Sequence, residues 1–160
     1  MKEAQAQRIV ALYADMILRI SYQYLKQTMD AEDICQTVFL KYLTAQPHFD
    51  SPEHEKAWII RTTINACKDH VRSAYFRRTV SLEEAASVAA PVVPETTLLP
   101  ALLSLPEKYR ICIYLYYYED YTGKEIAAIL GKSEAAVSQY LSRGRQKLRK
   151  VLSEERSNDL

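Results

Sequence analysis

Residues 121–148 predict two short helices joined by a tight turn, and no other segment constrains the fold as strongly. Thr122, followed three residues later by Glu125, has the spacing of a helix-capping box. Gly131 comes directly after the apolar residues of that helix, where a left-handed turn residue is favoured, and Ser133 can cap the next helix. Because a short turn fixes the angle between the helices, the outer face of the second one stays exposed. This is the geometry of a helix-turn-helix that enters a DNA major groove.

The second of these helices separates its apolar residues from its polar and basic ones. Val137, Leu141 and Leu148 form an apolar stripe, and the side chains pointing away from it are candidates for contacts with base edges: Ala135, Ser138, Gln139 and Ser142. Three candidates for phosphate contacts complete what we call the recognition face: Arg143, Arg145 and Lys147. Clustered cations gain affinity for DNA by releasing condensed counterions. The alternative is a solvated basic helix end, since cations favour helix C-termini.

The composition favours a helical chain with localised charge. Only 3 glycines occur among 160 residues, which argues against a turn-rich β architecture, and a hydrophobic content of 48% is sufficient for a folded core. The length allows one medium domain or two small ones. Because the net charge is only +1, any affinity for nucleic acid has to come from local basic patches.

No segment predicts a membrane span, a metal site or a catalytic centre. The apolar runs are too short to cross a bilayer, and the polar start of the chain lacks a signal-peptide core, so we expect a cytoplasmic protein. The 3 cysteines are widely spaced and predict reduced thiols, and the 3 histidines are not near them in metal-ligand spacing. No nucleophile is paired with a base, and no group of residues predicts a cofactor site.

The first half of the chain predicts three long helices, over about residues 3–27, 30–44 and 52–78. Asp30 and Ser51 are the predicted N-caps of the second and third helices. The first helix has a predicted core stripe: Ile9, Leu12, Tyr13, Met16, Ile17, Ile20 and Tyr24. The third has another: Ala57, Ile60, Ile64, Cys67, Val71 and Ala74. The second half predicts four shorter helices, over about residues 96–104, 106–119, 122–130 and 133–151.

Residues 79–97 interrupt the helical pattern and predict a flexible linker. The stretch contains Pro91, Pro94 and many small residues, and its net charge is −3, whereas residues 1–78 and 98–160 each carry +2. The predicted fold is therefore all-α, with two small helical domains, residues 1–78 and 98–160, joined by this linker.

The third predicted helix carries a second stripe beside its core, which we call the third-helix face. Its members share one side of the helix: Trp58, Arg61, Asn65, Lys68 and Arg72, extended by Arg77 and Arg78. Such a face suits single-stranded nucleic acid, because bases stack on aromatic rings, amides bond base edges and cations hold phosphates. The alternatives are that Trp58 packs in the core and that the cations form an ordinary solvated surface.

The second predicted helix exposes four residues that we call the second-helix face: Asp33, Gln36, Thr37 and Leu40. A large apolar group beside polar ones is typical of a surface that binds a protein partner. The alternative is that Leu40 packs against the first helix instead.

Tyrosines are unusually frequent: the chain has 12, and five of them lie almost contiguously between residues 114 and 121. One helix cannot bury all five, so we expect some to pack between helices and others to stay exposed. A functional aromatic surface is the alternative.

Three segments together resemble a known family. Residues 30–43, DAEDICQTVFLKYL, resemble region 2.2 of the sigma-70-type sigma factors, and residues 57–72, AWIIRTTINACKDHVR, resemble their regions 2.3–2.4. Residues 105–148 resemble region 4. The short length and the lack of a middle domain are similar to those of the extracytoplasmic-function (ECF) class.

The resemblance implies a role for each face. The second-helix face would dock on the clamp coiled coil of the β′ subunit of core RNA polymerase. The third-helix face, with the loop of residues 46–56, would capture and open the −10 promoter element, and the recognition face would read the −35 element while the β subunit holds that domain. The linker would thread toward the RNA exit path. The family also implies a non-catalytic subunit, often inhibited by an anti-sigma factor.

Some residues depart from the family pattern, and two other functions stay open. Ser138 and Tyr140 stand where relatives often have basic residues, and Asp50, Glu53 and Glu55 make the loop before the third helix acidic. We therefore expect weaker electrostatic binding at both places. One alternative is a free-standing helix-turn-helix regulator that works without polymerase. The other is an adaptor that binds polymerase or an inhibitor but no longer reads DNA.

Overall fold

The computed structural model describes residues 2–80 and 98–158, with side chains for residues 3–75 and 99–154. All regular structure in these residues is helical, and the chain separates into two compact units, Met1–Pro91 and Val92–Leu160. The predicted all-α fold is confirmed. Most of the predicted linker lies outside the described residues. Among those that are described, no helix combines the length and the apolar character that crossing a membrane requires.

Three long helices build the first unit: α1 (Lys2–Leu25), α2 (Thr28–Ala45) and α3 (Pro52–Val80). Each of the three packs against the other two. The largest fully buried side chains come from all three helices: Ile9, Ile17, Ile20, Val38, Ile59, Ile60, Thr63 and Cys67. With other buried residues, such as Tyr13, Ile34 and Ile64, they recur along each helix at intervals of three or four residues, and burial of these stripes holds the unit together.

Two apolar residues predicted for this core lie at the surface instead. Leu12 is 59% exposed and Val71 is 46% exposed. The buried stripe of α3 is rotated toward Ile59 and Thr63, which are both fully buried. Thr63 is tolerated there because its hydroxyl donates a hydrogen bond of 2.7 Å to the carbonyl oxygen of Ile59.

The helix ends in this unit agree with one predicted cap and contradict another. Ser51 caps α3, since its Oγ accepts a hydrogen bond of 3.1 Å from the backbone N–H of His54. The prediction for Asp30 is wrong, because α2 begins at Thr28 with Gln27 as its N-cap residue. Asp30 lies in the first turn, where its carboxylate still suits the helix dipole.

The second unit contains α4 (Leu98–Leu103), α5 (Glu107–Ile113), a π-helical turn (Tyr114–Tyr118), α6 (Gly123–Leu130) and α7 (Glu134–Asn158). α7 packs against α4, α5 and α6. The fully buried side chains of the second unit include Leu115, Ile126, Val137 and Cys112. Burial raises the pKa of the Cys112 thiol to about 11.

The local signals that predicted a helix-turn-helix are confirmed. Thr122 and Glu125 form both hydrogen bonds of a capping box at the start of α6. Gly131 ends that helix with a φ of 66°, the left-handed conformation that glycine adopts without steric strain. Ser133 then caps α7, accepting a hydrogen bond of 3.1 Å from the N–H of Ala136.

The segment predicted as one helix over residues 106–119 is interrupted. α5 ends at Ile113, and the chain continues as the π turn, which closes with a bond of 3.3 Å from the N–H of Glu119 to the carbonyl oxygen of Tyr114. Such a turn contains one extra residue and is common at functional sites. Tyr114 is buried, whereas Tyr116, Tyr117 and Tyr118 are exposed, which confirms the expected division of the tyrosines.

Candidate nucleic-acid and partner interfaces

The second-helix face is a continuous exposed surface of α2. Asp33, Gln36 and Thr37 are exposed, and the Thr37 hydroxyl donates to the carbonyl oxygen of Asp33 at 2.9 Å. Leu40 is 66% exposed, so it does not pack against α1, as the alternative required. The face therefore offers one large apolar side chain among short polar ones.

The third-helix face is exposed along the described part of α3. Arg61, Asn65, Lys68 and Arg72 all lie at the surface, at intervals of three or four residues. Arg72 Nη1 is 3.7 Å from Asp69 Oδ1, but both side chains are highly exposed, so water screens this pair and the cation is still available. Arg77 and Arg78 belong to the same helix, but their side chains lie outside the described residues.

Trp58 is half-buried, so its side chain both packs against the core and stays accessible for stacking on a base. Its ring meets those of Tyr42 and Phe49 edge to face, with centroid distances of 5.8 Å and 5.9 Å. The same side chain lines a shallow groove of about 550 Å³ between α2 and α3. The other lining residues come from both helices: Leu40, Lys41, Thr44, Ala45, Thr62 and Asn65. The indole thus packs in an aromatic cluster on one side and faces an open groove on the other.

A buried carboxylate contacts this aromatic cluster through Tyr42. Glu55, in the first turn of α3, is only 7% exposed and accepts hydrogen bonds from Arg8, Tyr13 and Tyr42. The Arg8 contacts are bidentate, at 3.0 Å and 2.8 Å, and the two phenol contacts measure 2.8 Å and 2.7 Å. Since these partners belong to α1 and α2, a single side chain joins all three helices.

The electrostatic state of this network follows from its geometry. The hydrogen bonds from Arg8, followed by those from the two phenols, lower the pKa of Glu55 to about 2 despite its burial. The hydrogen bond to Glu55 raises the pKa of Arg8, and burial raises the pKa of Tyr13. Glu55 therefore does not add exposed negative charge to the loop before α3, which corrects the sequence-based expectation for this residue. No sequence signal indicated this burial, because Ile59, four residues further on, is not in the predicted core stripe and only the structure shows that it is buried.

The recognition face lies on the outer side of α7. Ala135, Ser138, Gln139 and Ser142 are exposed, as are Arg143 and Lys147. The apolar stripe opposite is buried at Val137 and Leu141. Gln146, Arg149 and Lys150 are also exposed and extend this surface by less than one turn beyond Lys147. Their helical spacing indicates them, although they are not among the contacts predicted from the sequence.

Arg145 differs from the other cations of the recognition face. It is half-buried, and its Nε donates a hydrogen bond of 2.6 Å to the hydroxyl of Tyr117. Its guanidinium carbon lies 5.3 Å from the ring centroid of Tyr116 and 5.5 Å from that of Tyr117, which is within cation–π range. Lys147 has a looser aromatic neighbour, since its Nζ is 5.8 Å from the ring centroid of Tyr109.

Among the residues that the structure describes, no group of three or more histidine, cysteine or acidic side chains could hold a metal ion. The second unit has an apolar groove of about 520 Å³ between α4, the π turn and α7. Its lining includes Leu102, Tyr117, Tyr118 and Leu152, together with Arg145 and Arg149.

Comparisons with known proteins match the chain on both sides of residues 78–96. The family model described as Sigma-70 region 2 matches residues 9–77, and the one described as Sigma-70, region 4 matches residues 97–148. The ECF RNA polymerase sigma factor SigW of Bacillus subtilis is 31% identical in a comparison that covers 90% of this chain and 87% of that protein.

Solved structures resemble the fold as a whole. CnrH, determined in complex with the cytosolic domain of CnrY, has 26% sequence identity and a TM-score of 0.68, over 95% of this chain and 90% of that one. The sigma factor RpoE, determined with the anti-sigma factor NepR from Bartonella quintana, has a TM-score of 0.73 at 19% identity, over 92% and 96%. The second likeness concerns the fold alone.

Proposed function

The chain belongs to the ECF class of sigma-70 RNA polymerase sigma factors, which direct polymerase to specific promoters, and from this premise we propose how its surfaces divide that work. Residues 1–78 act as region 2, residues 98–160 act as region 4, and residues 79–97 connect them. The observation that carries the proposal is that each unit exposes a face suited to a different form of DNA.

The third-helix face captures the opened −10 strand. Its four exposed side chains combine one amide with three cations, and Trp58 presents part of its ring at the groove beside them. Stacking of one base on an aromatic ring contributes about 1–3 kcal/mol. This is comparable to the few kcal/mol needed to extrude a base from the duplex. The face therefore stabilises a locally opened strand without having to break the duplex by itself.

The buried network under Trp58 supports this assignment. Because Glu55 fixes Tyr42, whose ring packs against Trp58 and Phe49, the indole is held in one orientation before DNA arrives. An ordered aromatic side chain loses little conformational entropy when a base stacks on it.

The second-helix face docks on the clamp coiled coil of the polymerase β′ subunit. An apolar side chain that is two-thirds exposed, in line with a carboxylate, an amide and a hydroxyl on the same helix face, has the mixture of apolar and polar groups found in protein interfaces. Docking here leaves Arg61, Lys68 and Arg72 uncovered, since they lie on a different helix. The two faces adjoin at the groove that Leu40 and Trp58 both line.

The recognition face reads the −35 element in the major groove, and the β subunit holds the second unit. Gln139 bonds base edges bidentately, and Ser138 and Ser142 bond them singly. Arg143, Arg145 and Lys147 contact phosphates, which fix the register of the helix on the duplex. With serine at position 138, base reading depends on hydrogen bonds more than on charge.

The remaining parts of the proposal concern the cell. The chain acts in the cytoplasm with core polymerase, performs no catalysis and uses no cofactor. A protein inhibitor of the anti-sigma type binds it. A similar protein, CnrH, forms a complex with another protein, the cytosolic domain of CnrY.

Promoter-directed transcription by reconstituted holoenzyme tests the proposal. The full-length chain is added to core polymerase with a genomic promoter library, and transcripts are sequenced. Start sites that share two separated upstream motifs support the division of work. A chain that binds duplex DNA but gives no transcripts with polymerase is a free-standing regulator, and one that binds core polymerase without transcription is an adaptor.

A further inference from the structure

We propose that Tyr117, from the π turn, is a positioning residue that fixes Arg145 for contact with a DNA phosphate at the edge of the recognition face. The inference rests on the proposed binding of the −35 element by α7 and deepens it. It assigns a role to the exposed tyrosines, which the division of work among the three faces leaves unused.

The contact geometry restrains Arg145 in two ways. The hydroxyl of Tyr117 accepts the Nε–H at 2.6 Å, and the rings of Tyr116 and Tyr117 lie within 5.3 Å and 5.5 Å of the guanidinium carbon. A guanidinium has five N–H donors, and this bond uses the single one on Nε. The four N–H groups on the two Nη atoms form the planar fork that bonds phosphate bidentately.

The helical register places Arg145 where a phosphate is expected. Residues three and four apart are neighbours on a helix surface, so Ser138, Ser142 and Arg145 follow one another along one edge of the recognition face. Arg143 and Lys147 follow one another in the same way along the other edge. A helix in the major groove has a phosphate backbone on each side, so cations along both edges allow contacts to both strands.

The π turn makes this arrangement possible. Tyr117 is 28 positions before Arg145 in the sequence, and its ring reaches α7 from another element of the same unit. The turn contains one extra residue relative to an α-helix, so the side chains that follow α5 point in other directions than a continued helix would give them. Tyr117 is thereby exposed and adjacent to the recognition face.

Restraint before binding increases affinity. Ordering a side chain with many rotamers costs about 0.5–1.5 kcal/mol on association, which corresponds to about a two- to tenfold change in Kd. Arg145 has already lost this freedom through Tyr117, so DNA binding does not have to order it. Removal of the Tyr117 hydroxyl should restore the freedom while leaving the charge in place.

The test measures DNA affinity of the full-length chain for a duplex selected by the wild-type protein from a randomised library. Tyr117→Phe should weaken binding about two- to tenfold, with an unchanged melting temperature. Tyr116→Phe is the matched control, because Tyr116 contacts Arg145 through its ring alone among the contacts that the structure describes, and it should leave affinity unchanged. Arg145→Ala should reduce the slope of log affinity against log salt concentration by about 0.9, the value for one phosphate.

A double-mutant cycle separates positioning from a structural role. In the Arg145→Ala background, Tyr117→Phe should have no further effect on affinity, because there is no guanidinium left to position. Arg145→Lys keeps the charge but loses the Nε donor, so it should bind as weakly as Tyr117→Phe or more weakly.

Several results would overturn the inference. They are an unchanged salt slope in Arg145→Ala, equal effects of the two phenylalanine variants, additive effects of Tyr117→Phe and Arg145→Ala, and full affinity in Arg145→Lys. Failure of the proposed function looks different, because then the library yields no preferred duplex and Arg143→Ala also leaves the salt slope unchanged.

Discussion

Glu55 shows how a single side chain determines the properties of a surface that it does not touch. Its carboxylate is removed from water, which by itself opposes ionisation, yet four hydrogen bonds from Arg8, Tyr13 and Tyr42 compensate. Glu55 thereby holds Tyr42 in place, and Phe49 and Trp58 pack against the ring of Tyr42. The position of the half-buried indole thus depends on the buried carboxylate that holds Tyr42.

The first prediction concerns the pH dependence of this network. The pKa of Glu55 falls from an ordinary value of about 4.5 to about 2, so its stabilisation is present in full above pH 4.5 and is lost as the pH falls toward 2. Glu55→Gln should reduce the free energy of unfolding of the first unit by about 2–4 kcal/mol at neutral pH. The difference from wild type should shrink steadily between pH 4.5 and 2.

Fluorescence of Trp58 is a suitable measurement, because it is the only tryptophan in the chain and lies beside the network. Urea unfolding followed by this signal reports on the first unit. Glu53→Gln is the matched control, since Glu53 is in the same first turn but exposed. Equal stability losses in the two variants, or a difference that persists unchanged at pH 2, would contradict the prediction.

The second prediction tests the proposed docking surface. The double substitution of Asp33→Ala and Gln36→Ala removes two polar groups around Leu40, and should weaken binding to core polymerase about tenfold, if each contributes about 0.5–1.5 kcal/mol. Helical content should be unchanged, because both side chains are exposed. Titration of labelled core polymerase gives the affinity. Glu32→Ala, on the same helix, is the control, and an equal loss in that variant would remove the specific role of the face.

The third prediction concerns a phosphate contact. Arg143→Ala should lower the affinity for a −35 duplex and reduce its salt slope by about 0.9, because one cation no longer displaces counterions. Arg72→Ala, which removes a cation from the first unit, should leave that slope unchanged for a duplex without a −10 element. Affinity is measured over a series of salt concentrations. An identical slope in Arg143→Ala would exclude this residue from the contacts.

At the scale of elements, α5 and α7 approach each other at a glycine. A Cβ at Gly144 would lie 2.6 Å from Ile113 Cδ1 and 3.2 Å from Tyr109 Cβ. The end of an isoleucine side chain can move, but a Cβ atom moves only with its backbone. The absence of a side chain at this position therefore lets α7 pack closely while its opposite side presents the recognition face.

The fourth prediction follows from this contact. Gly144→Ala should destabilise the second unit by about 1–2 kcal/mol, because overpacking outweighs the gain in helix propensity. Gly123→Ala is a matched control, since a Cβ there has no neighbour within 4 Å, and its stability should be unchanged or slightly increased. Thermal unfolding followed by circular dichroism measures both. If Gly144→Ala were as stable as Gly123→Ala, α5 and α7 would be able to move apart without loss of stability, and the prediction would be wrong.

For the whole molecule, the distribution of charge matters more than its total. A net charge of +1 gives little general attraction to DNA, so affinity depends on the two faces that concentrate cations. We expect promoter binding to require both units together, because joining two weak contacts by a short linker raises their combined affinity.

The fifth prediction separates opening of DNA from recognition of the duplex. Asn65→Ala combined with Lys68→Ala should reduce permanganate reactivity of the −10 strand in the holoenzyme about tenfold, from the loss of two contacts of about 0.5–1.5 kcal/mol each. Affinity for an isolated −35 duplex should stay the same, because that contact belongs to the second unit. Loss of both activities would indicate that the two faces do not act on separate DNA elements.

Local signals in the sequence determined much of the second unit. Thr122, Glu125, Gly131 and Ser133 each act within four residues, so their roles could be predicted from spacing and were confirmed by hydrogen bonds and backbone angles. The recurrence of apolar residues at intervals of three or four likewise predicted α1 to α3 and the exposure of Arg61, Asn65 and Lys68. The same periodicity misplaced Leu12 and Val71, because it gives a stripe but not its exact edge.

The sequence by itself thus determined the helices, the turn that joins α6 to α7, and the family to which the chain belongs, since all of these depend on motifs of neighbouring residues. Only the tertiary structure decided that Glu55 is buried with Arg8, that Leu40 stays exposed, and that Tyr117 binds Arg145. The physical reason is that these contacts join residues 28 to 47 positions apart, or depend on how helices pack. Spacing along one helix carries no information about them.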